Sequence, residues 1–128
     1  MGVRLLLYIA MALALPGCAT TQPIHDVIDA PAITRSKAPH RSEVAGAIER
    51  AGRHLGWQMT ADGPGFFIGR LALRSHVAVV GIEHDRTTYS IRYRDSVNLD
   101  AGEGRIHRAY NRWVEKLSAA IRGELELL

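Results

Sequence analysis

The stretch LALRSHVAVVGIEHDRTTYSIRYRDS, residues 71–96, decides the fold. Apolar and polar side chains alternate along it, which is typical of β-strands that bury one face. Two polar pairs, Arg74-Ser75 and Asp85-Arg86, interrupt the alternation and predict tight turns. We therefore expect three consecutive antiparallel strands joined by two hairpins, with a short strand before them around Trp57 to Thr60.

Two-residue turns at both positions place the apolar side chains of the three strands on one face, because residues directly opposite each other in a hairpin share a face. In the first hairpin the expected pairs are Leu73–His76, Leu71–Ala78, Gly69–Val80 and Phe67–Ile82. In the second they are His84–Thr87, Ile82–Tyr89, Val80–Ile91, Ala78–Tyr93 and His76–Asp95. The opposite face carries a mixture of apolar and charged side chains.

Segments with helical spacing of apolar residues flank these strands. One begins at Ser42, a favourable N-cap residue, and ends before Gly56. The other, residues 105–125, is the clearest amphipathic segment of the chain. These elements predict an α+β fold, a two-layer sandwich in which an antiparallel three- to four-stranded meander packs against an N-terminal and a C-terminal helix, with Trp57 and Trp113 in the core.

The composition is that of an ordinary globular protein. A chain of 128 residues has room for one domain, and 47% of its residues are hydrophobic and 23% charged. The formal net charge of +3 is small for a nucleic-acid-binding protein, so we do not expect that function. The single cysteine, Cys18, cannot form an internal disulfide.

Residues 1–17 have the pattern of a secretory signal peptide, since an arginine precedes eleven apolar residues, 5–15. This run is shorter than the roughly 20 apolar residues that a transmembrane helix needs. Residues 15–18, LPGC, resemble the lipidation site of bacterial lipoproteins, whose cysteine is acylated and becomes the first residue after cleavage. The resemblance implies lipid attachment at Cys18, and Ala19 implies sorting to the outer membrane. The alternative is a buried N-terminal helix with a free thiol.

Residues 18–40 are predicted to be the lipidated cysteine and a flexible linker, because they contain three prolines and no helical or alternating period. Residues 41–128 are then a small α+β domain in the periplasm. The alternative is that part of the segment packs on the domain as an irregular strand, for which Val27, Ile28 and Ile33 supply apolar side chains.

Two further segments, residues 71–99 and 106–121, resemble those of small uncharacterised lipoproteins of proteobacteria. These proteins share the lipidation site and the order of helix, strands and helix, and the likeness covers about residues 42–122. It implies a location and a fold. It carries no activity, ligand or catalytic residue.

Polar side chains converge where the last strand joins the last helix in the predicted register. They form a candidate cleft for a glycan or a peptide end, consisting of His76, Asp95, Ser96, Asn98, His107 and Asn111. The alternative is a structural network in which Asp95 fixes His76 and the asparagines bond to loop and helix-start amides. A metal site or a hydrolase centre at the same residues has weak support, because no zinc-ligand spacing and no nucleophile turn is present.

Three arginines, Arg70, Arg92 and Arg94, surround Val77 and Val79 on the outer face of the predicted sheet. This composition suits an anionic partner such as lipid phosphates or an acidic protein surface. The alternative is a solvated face on which the arginine stems cover the valines.

Taken together, these features predict a non-enzymatic lipoprotein that is held at the outer membrane and faces the periplasm. It binds or organises an envelope protein, a glycan or an anionic lipid, and needs no cofactor. One rival hypothesis is a small hydrolase or metal-dependent enzyme centred on His76 and Asp95. Another is an architectural subunit whose mixed sheet face docks on a larger assembly.

Overall fold

A computed structural model of the chain describes residues 20–128. Residues 1–17 and Cys18, for which we predict a signal peptide and a lipid, lie outside the described residues. Seven strands and two helices follow one another along the described part of the chain. They are β1 (Thr21–Pro23), β2 (Val27–Pro31), α1 (Arg41–His54), β3 (Gln58–Ala61), β4 (Phe66–Leu73), β5 (His76–His84), β6 (Thr88–Val97), β7 (Arg105–His107) and α2 (Arg108–Leu125).

The fold is α+β, with two helices and an antiparallel sheet, an arrangement compatible with a sandwich. The sheet has five strands in the order β2-β6-β5-β4-β3, one more than the three to four expected. The strands β1 and β7 form a separate two-stranded sheet. The meander β3-β4-β5-β6 contains the four consecutive strands that the sequence predicts.

The first hairpin has the predicted register. Leu71 pairs with Ala78 and Gly69 with Val80, so Arg74 and Ser75 form a two-residue turn. Arg74 adopts a φ of 56°, the left-handed conformation that such turns require.

The second hairpin is longer than predicted. Its pairs are His84–Tyr89 and Ile82–Ile91, which shifts the register by two residues. The cause is Asp85, whose Oδ1 accepts hydrogen bonds from the backbone N–H groups of Thr87 and Thr88, each at 2.8 Å, and so extends the turn. As far as Tyr93, a shift of two keeps the side chains on their predicted faces, because side chains alternate with period two. Beyond Tyr93 a bulge moves Asp95 to the face opposite the predicted one.

The predicted linker is wrong for residues 21–23 and 27–31, which form β1 and β2. Val27 and Ala30 pair with β6, and Asp26 accepts a hydrogen bond from Tyr93 N at 2.9 Å. The segment is an irregular edge strand with Pro31 at its end, where a missing N–H costs no ladder bond. The alternative prediction of a strand that packs on the domain is the correct one.

Both helices lie where the sequence predicts them, with small differences at their ends. The first begins at Arg41 with His40 as its N-cap, whereas the sequence favours Ser42. Glu43 explains the difference, since its carboxylate accepts a hydrogen bond from His40 N at 2.8 Å and closes the first turn one step earlier. The second begins at Arg108, after the short strand β7.

One hydrophobic core contains side chains from both helices and from the five-stranded sheet. Trp57 is buried within it, as predicted, whereas Trp113 is only partly buried. The largest fully buried side chains come from both helices and from β5, β6 and β7, and they include Ile48, Ile82, Tyr89, Ile91, Ile106, Tyr110, Leu117 and Ile121.

Candidate functional site

The residues of the predicted polar cleft separate into small structural groups. His76 and Asn98 lie at the open end of β5 and β6, where the His76 ring nitrogen Nδ1 is 2.7 Å from the carbonyl oxygen of Asn98. The Asn98 amide donates to the hydroxyl of Ser75 at 2.9 Å. This group ties the first hairpin to the loop after β6.

Asp95 does not reach His76, so the predicted pairing of these two residues is wrong. A bulge at Arg94 and the shifted register place Asp95 opposite Val79 instead. The Asp95 carboxylate accepts a hydrogen bond from the backbone N–H of Ser96, whose hydroxyl bonds to Tyr93 Oη at 2.9 Å. The residues that a hydrolase or metal site would need together therefore have different partners.

His107 and Asn111 organise the chain around the start of α2. His107 Nδ1 accepts a hydrogen bond from Ala109 N at 3.1 Å and so caps the helix. Asn111 is buried, accepts from His25 N at 3.0 Å and donates to the carbonyl oxygen of Pro23 at 2.9 Å. Both residues hold β1 and the segment after it against α2, which agrees with the structural alternative.

The three arginines of the predicted anion patch all lie on the outer face of the sheet, but only two of them meet. Arg92 and Arg94 line a hollow of about 200 Å³ with Phe66 and Glu83. The Arg94 guanidinium lies 5.5 Å from the centre of the Phe66 ring, and Arg92 is 3.9 Å from a carboxylate oxygen of Glu83.

Gly81 makes this arrangement possible, because a Cβ at that position would lie 2.8 Å from the Phe66 ring and 3.1 Å from the Arg94 side chain. Arg70 is exposed on another row of the same face, opposite Val79. The outer face therefore has one arginine stacked on an aromatic ring and one beside a carboxylate.

A different site, which we did not predict from the sequence, lies at the start of α1. The "α1 hollow" has a volume of about 420 Å³ and lies between the first turn of α1, the turn before β4, and His84. Its apolar side is formed by Pro64, Phe66 and Phe67, and its polar side by residues 40–42.

A second cavity adjoins it. This "hairpin hollow" has a volume of about 320 Å³ and shares Arg41, Pro64, Gly65 and His84 with the α1 hollow. Its remaining lining is mostly polar and comes from β2 and the second hairpin, namely Asp29, Glu83, Asp85, Thr88 and Ser90.

Of the residues that line both hollows, His84 has the most unusual environment. It is 9% exposed, and its ring stacks on Phe67 with the centroids 5.5 Å apart. Its Nδ1 atom is buried without a hydrogen-bond partner, a property that it shares with Tyr110 Oη alone in residues 20–128. Burial and the nearby positive charge of Arg41 lower the pKa of His84, although Asp85 acts in the opposite direction.

The alternation of the sequence already places His84 on the buried face of β5, although we did not use this pattern to predict a site. Its position continues the inward alternation of Ala78, Val80 and Ile82, so a polar ring was to be expected on the apolar face. Arg41 carries no such signal, because its contribution depends on the packing of α1 beside β5.

Within residues 20–128, no group of three or more histidine, cysteine, aspartate or glutamate side chains could hold a metal ion. None of the helices in this part of the chain is long and apolar enough to cross a membrane. Comparison of the chain with protein-family models, with curated proteins and with solved structures finds no match.

Proposed function

We propose that the chain is a lipid-anchored protein of the bacterial envelope, with no catalytic role, whose domain lies against the bilayer and binds anionic headgroups. Residues 1–17 act as the signal peptide, Cys18 carries the lipid, and the anchor is in the outer membrane on its periplasmic side. More than one acyl chain makes such an anchor effectively permanent, at about 0.8 kcal/mol for each buried methylene.

The observation that carries the proposal is the short distance between Cys18 and the fold. The strand β1 begins at Thr21, three residues after Cys18. Three residues reach at most about 10–11 Å. A lipid at Cys18 therefore holds the strands β1 and β7 and the start of α2 next to the headgroups.

The surface beside this attachment point is basic. Arg105 donates a hydrogen bond to the carbonyl oxygen of Thr21 at 2.9 Å, and the N–H of Arg108 donates to the carbonyl oxygen of Thr20 at 3.0 Å. Arg108 and Arg112 have exposed side chains on successive turns of α2, and no acidic residue occurs between positions 104 and 114. Each such charge contributes about 1 kcal/mol at an anionic membrane surface.

The outer face of the sheet is a second candidate binding surface, for an envelope protein or a glycan. It is also the surface through which an architectural subunit would dock on a larger assembly. Two of its arginines already contact other side chains, since Arg94 stacks on Phe66 and Arg92 lies near Glu83. We therefore favour the residues near Thr21 for the anionic lipid. No observation favours the enzyme hypothesis, because His76 and Asp95 bond to different partners.

The two-layer arrangement supports this orientation. We infer that both helices pack on the inner face of the sheet, because Tyr89 Oη of β6 lies 2.8 Å from the Ser118 hydroxyl of α2. In addition, a Cβ at Gly52 of α1 would overlap the Met59 side chain of β3. The outer face is then left free of helices.

The anchor is tested by feeding cells a clickable fatty acid and comparing the parent with a Cys18→Ser variant. We expect label on the parent chain alone. Equal labelling of both chains, or of neither, contradicts the assignment.

The orientation is tested by hydrogen exchange on the chain as isolated from the envelope, in vesicles of phosphatidylcholine with and without phosphatidylglycerol. We expect phosphatidylglycerol to slow exchange at β1, β7 and the first turn of α2. Replacing Arg108 and Arg112 by Gln should remove this protection, whereas the matched pair Arg92→Gln and Arg94→Gln should retain it. The reverse result would assign the anionic contact to the outer face, and no protection by either surface would refute the orientation.

A further inference from the structure

The α1 hollow is the feature of the molecule whose chemistry points most clearly to a ligand. Its volume of about 420 Å³ lies within the range of about 300–1,000 Å³ typical of small-molecule sites. It combines an aromatic wall, Phe66 and Phe67, with the charged start of a helix. Such sites hold the body of a ligand by apolar contact and orient it through a few polar groups.

His84 is the first polar group. Nearly all buried polar atoms in folded proteins have a hydrogen-bond partner, and Nδ1 of this ring has none. The ring is 9% exposed, and the surface that remains exposed lines the two hollows. The fold therefore leaves Nδ1 without a partner, in a ring that forms part of the wall of the hollow.

The start of α1 supplies further donors. The first intrahelical bonds are those that Glu43 N and Val44 N donate to the carbonyl oxygen of His40. The N–H groups of Arg41 and Ser42 precede them and have no intrahelical acceptor, so this end of the helix favours an anion.

The side chain of Arg41 adds a full positive charge. It is exposed and forms no ion pair within residues 20–128. It lies close enough to His84 to lower the pKa of that ring. A guanidinium that is free of a carboxylate can bind an external one with two parallel hydrogen bonds.

Two acidic side chains nearby, Asp85 and Asp29, are already engaged. Asp85 Oδ1 accepts bonds from Thr87 and Thr88, and Asp29 is bonded to Ser90 through both its N–H and its carboxylate. They line the hairpin hollow and not the α1 hollow. The lining of the α1 hollow contains Arg41 and no acidic residue, although the Glu43 carboxylate lies at the same end of α1, 2.8 Å from His40 N, and partly offsets this charge.

We propose that the α1 hollow binds a small carboxylate with a flat apolar body. The carboxylate lies at Arg41 and the free N–H groups of α1, and the body lies against Phe66 and Phe67 beside His84. This site does not depend on the lipid anchor or on the basic surface near Thr21, so the inference stands or falls independently of the proposed function.

The test is a titration of the full chain in detergent micelles, followed by nuclear magnetic resonance of the backbone amides and the His84 ring. The probes are phenylacetate, its neutral analogue phenylacetamide, and acetate, which lacks the apolar body. We expect saturable shifts at Arg41, Ser42 and His84 with phenylacetate at millimolar concentration, and binding about tenfold weaker for each of the other two probes.

Variants identify the groups that bind. Arg41→Gln should weaken phenylacetate binding about tenfold. The matched control Arg53→Gln, at the other end of the same helix, should leave the binding unchanged. The thermal midpoint of each variant, measured in parallel, shows that the fold is retained.

Three results would overturn the proposal. One is the absence of saturable shifts with phenylacetate, and another is equal binding of phenylacetamide, which would show an apolar hollow without anion recognition. The third is an equal loss of binding in the Arg41 and Arg53 variants, which would show a general effect of charge.

Discussion

Replacing His84 by Phe should stabilise the protein, because it removes a buried polar atom that has no partner. An unsatisfied buried donor or acceptor costs about 1–3 kcal/mol. The phenyl ring keeps the stacking on Phe67, and the adjoining hollows leave room for its extra carbon. We therefore expect the free energy of unfolding to rise by about 1–2 kcal/mol.

The assay is chemical denaturation of the full chain in detergent at about pH 8, supported by thermal melts. In a domain of this size each kcal/mol corresponds to a rise of about 4 °C in Tm. The control is His54→Phe, which makes the same change at an exposed position in the last turn of α1 and should alter stability little. If His84→Phe were the less stable of the two variants, the Nδ1 atom would have to contribute to the stability of the fold, and the reasoning from its missing partner would fail.

The same variant should change how stability depends on pH. The pKa of His84 is lowered in the folded protein, whereas an unfolded histidine titrates near pH 6.5. As the pH falls below about 6.5, the unfolded chain binds a proton that the folded chain resists, so stability is lost. Removing His84 abolishes that loss. The advantage of His84→Phe over the parent should therefore be larger at about pH 5 than at about pH 8, and an equal advantage would show that the ring protonates freely.

Two further predictions concern the packing of the domain. Tyr89→Phe and Ser118→Ala should each cost about 1 kcal/mol, but the double variant should cost about 1 kcal/mol less than their sum, since the two hydroxyls bond to each other at 2.8 Å; additive denaturation energies would contradict the contact. Gly65→Ala should cost about 1–3 kcal/mol, because φ is +76° and the new Cβ would lie 2.9 Å from the carbonyl oxygen of His84. Gly63→Ala, at φ +78° with open space around it, should cost less. If denaturation showed that both variants lose the same free energy of unfolding, the close approach of the Gly65 Cβ to the His84 carbonyl oxygen would have no effect.

The strands were predictable from the sequence where local chemistry decides the structure. Alternation fixes which side chains of β4 and β5 face the core, and those of β6 as far as Tyr93, even though the register there is wrong. The bulge after Tyr93 was not predictable in this way and moves Asp95 to the other face. The register of the second hairpin was not predictable from alternation, because turns of two and four residues give the same faces. The side chain of Asp85 decides between them.

The strand β2 was missed for a different reason. It contains a register shift, a left-handed residue at Asp29 and a proline at its end, so its sequence has neither regular alternation nor turn punctuation. Its structure comes from pairing with β6, a contact between distant parts of the chain. Similarly, the α1 hollow joins the start of α1, the turn before β4 and the end of β5, so no local pattern could have indicated it.

The N-terminal segment of the fold contributes to the proposed anchoring and to the hairpin hollow through separate contacts. Through β1 it shortens the distance between Cys18 and the domain, because Thr21 pairs with His107 at the start of α2. Through β2 it supplies Asp29, which lines the hairpin hollow and is bonded to Ser90. A flexible linker would have let the domain diffuse well away from the bilayer and would have left this hollow open on one side. The pairing of β1 with β7 and of β2 with β6 instead ties the segment that follows Cys18 to the domain, so the lipid that we propose at Cys18 restrains the whole domain.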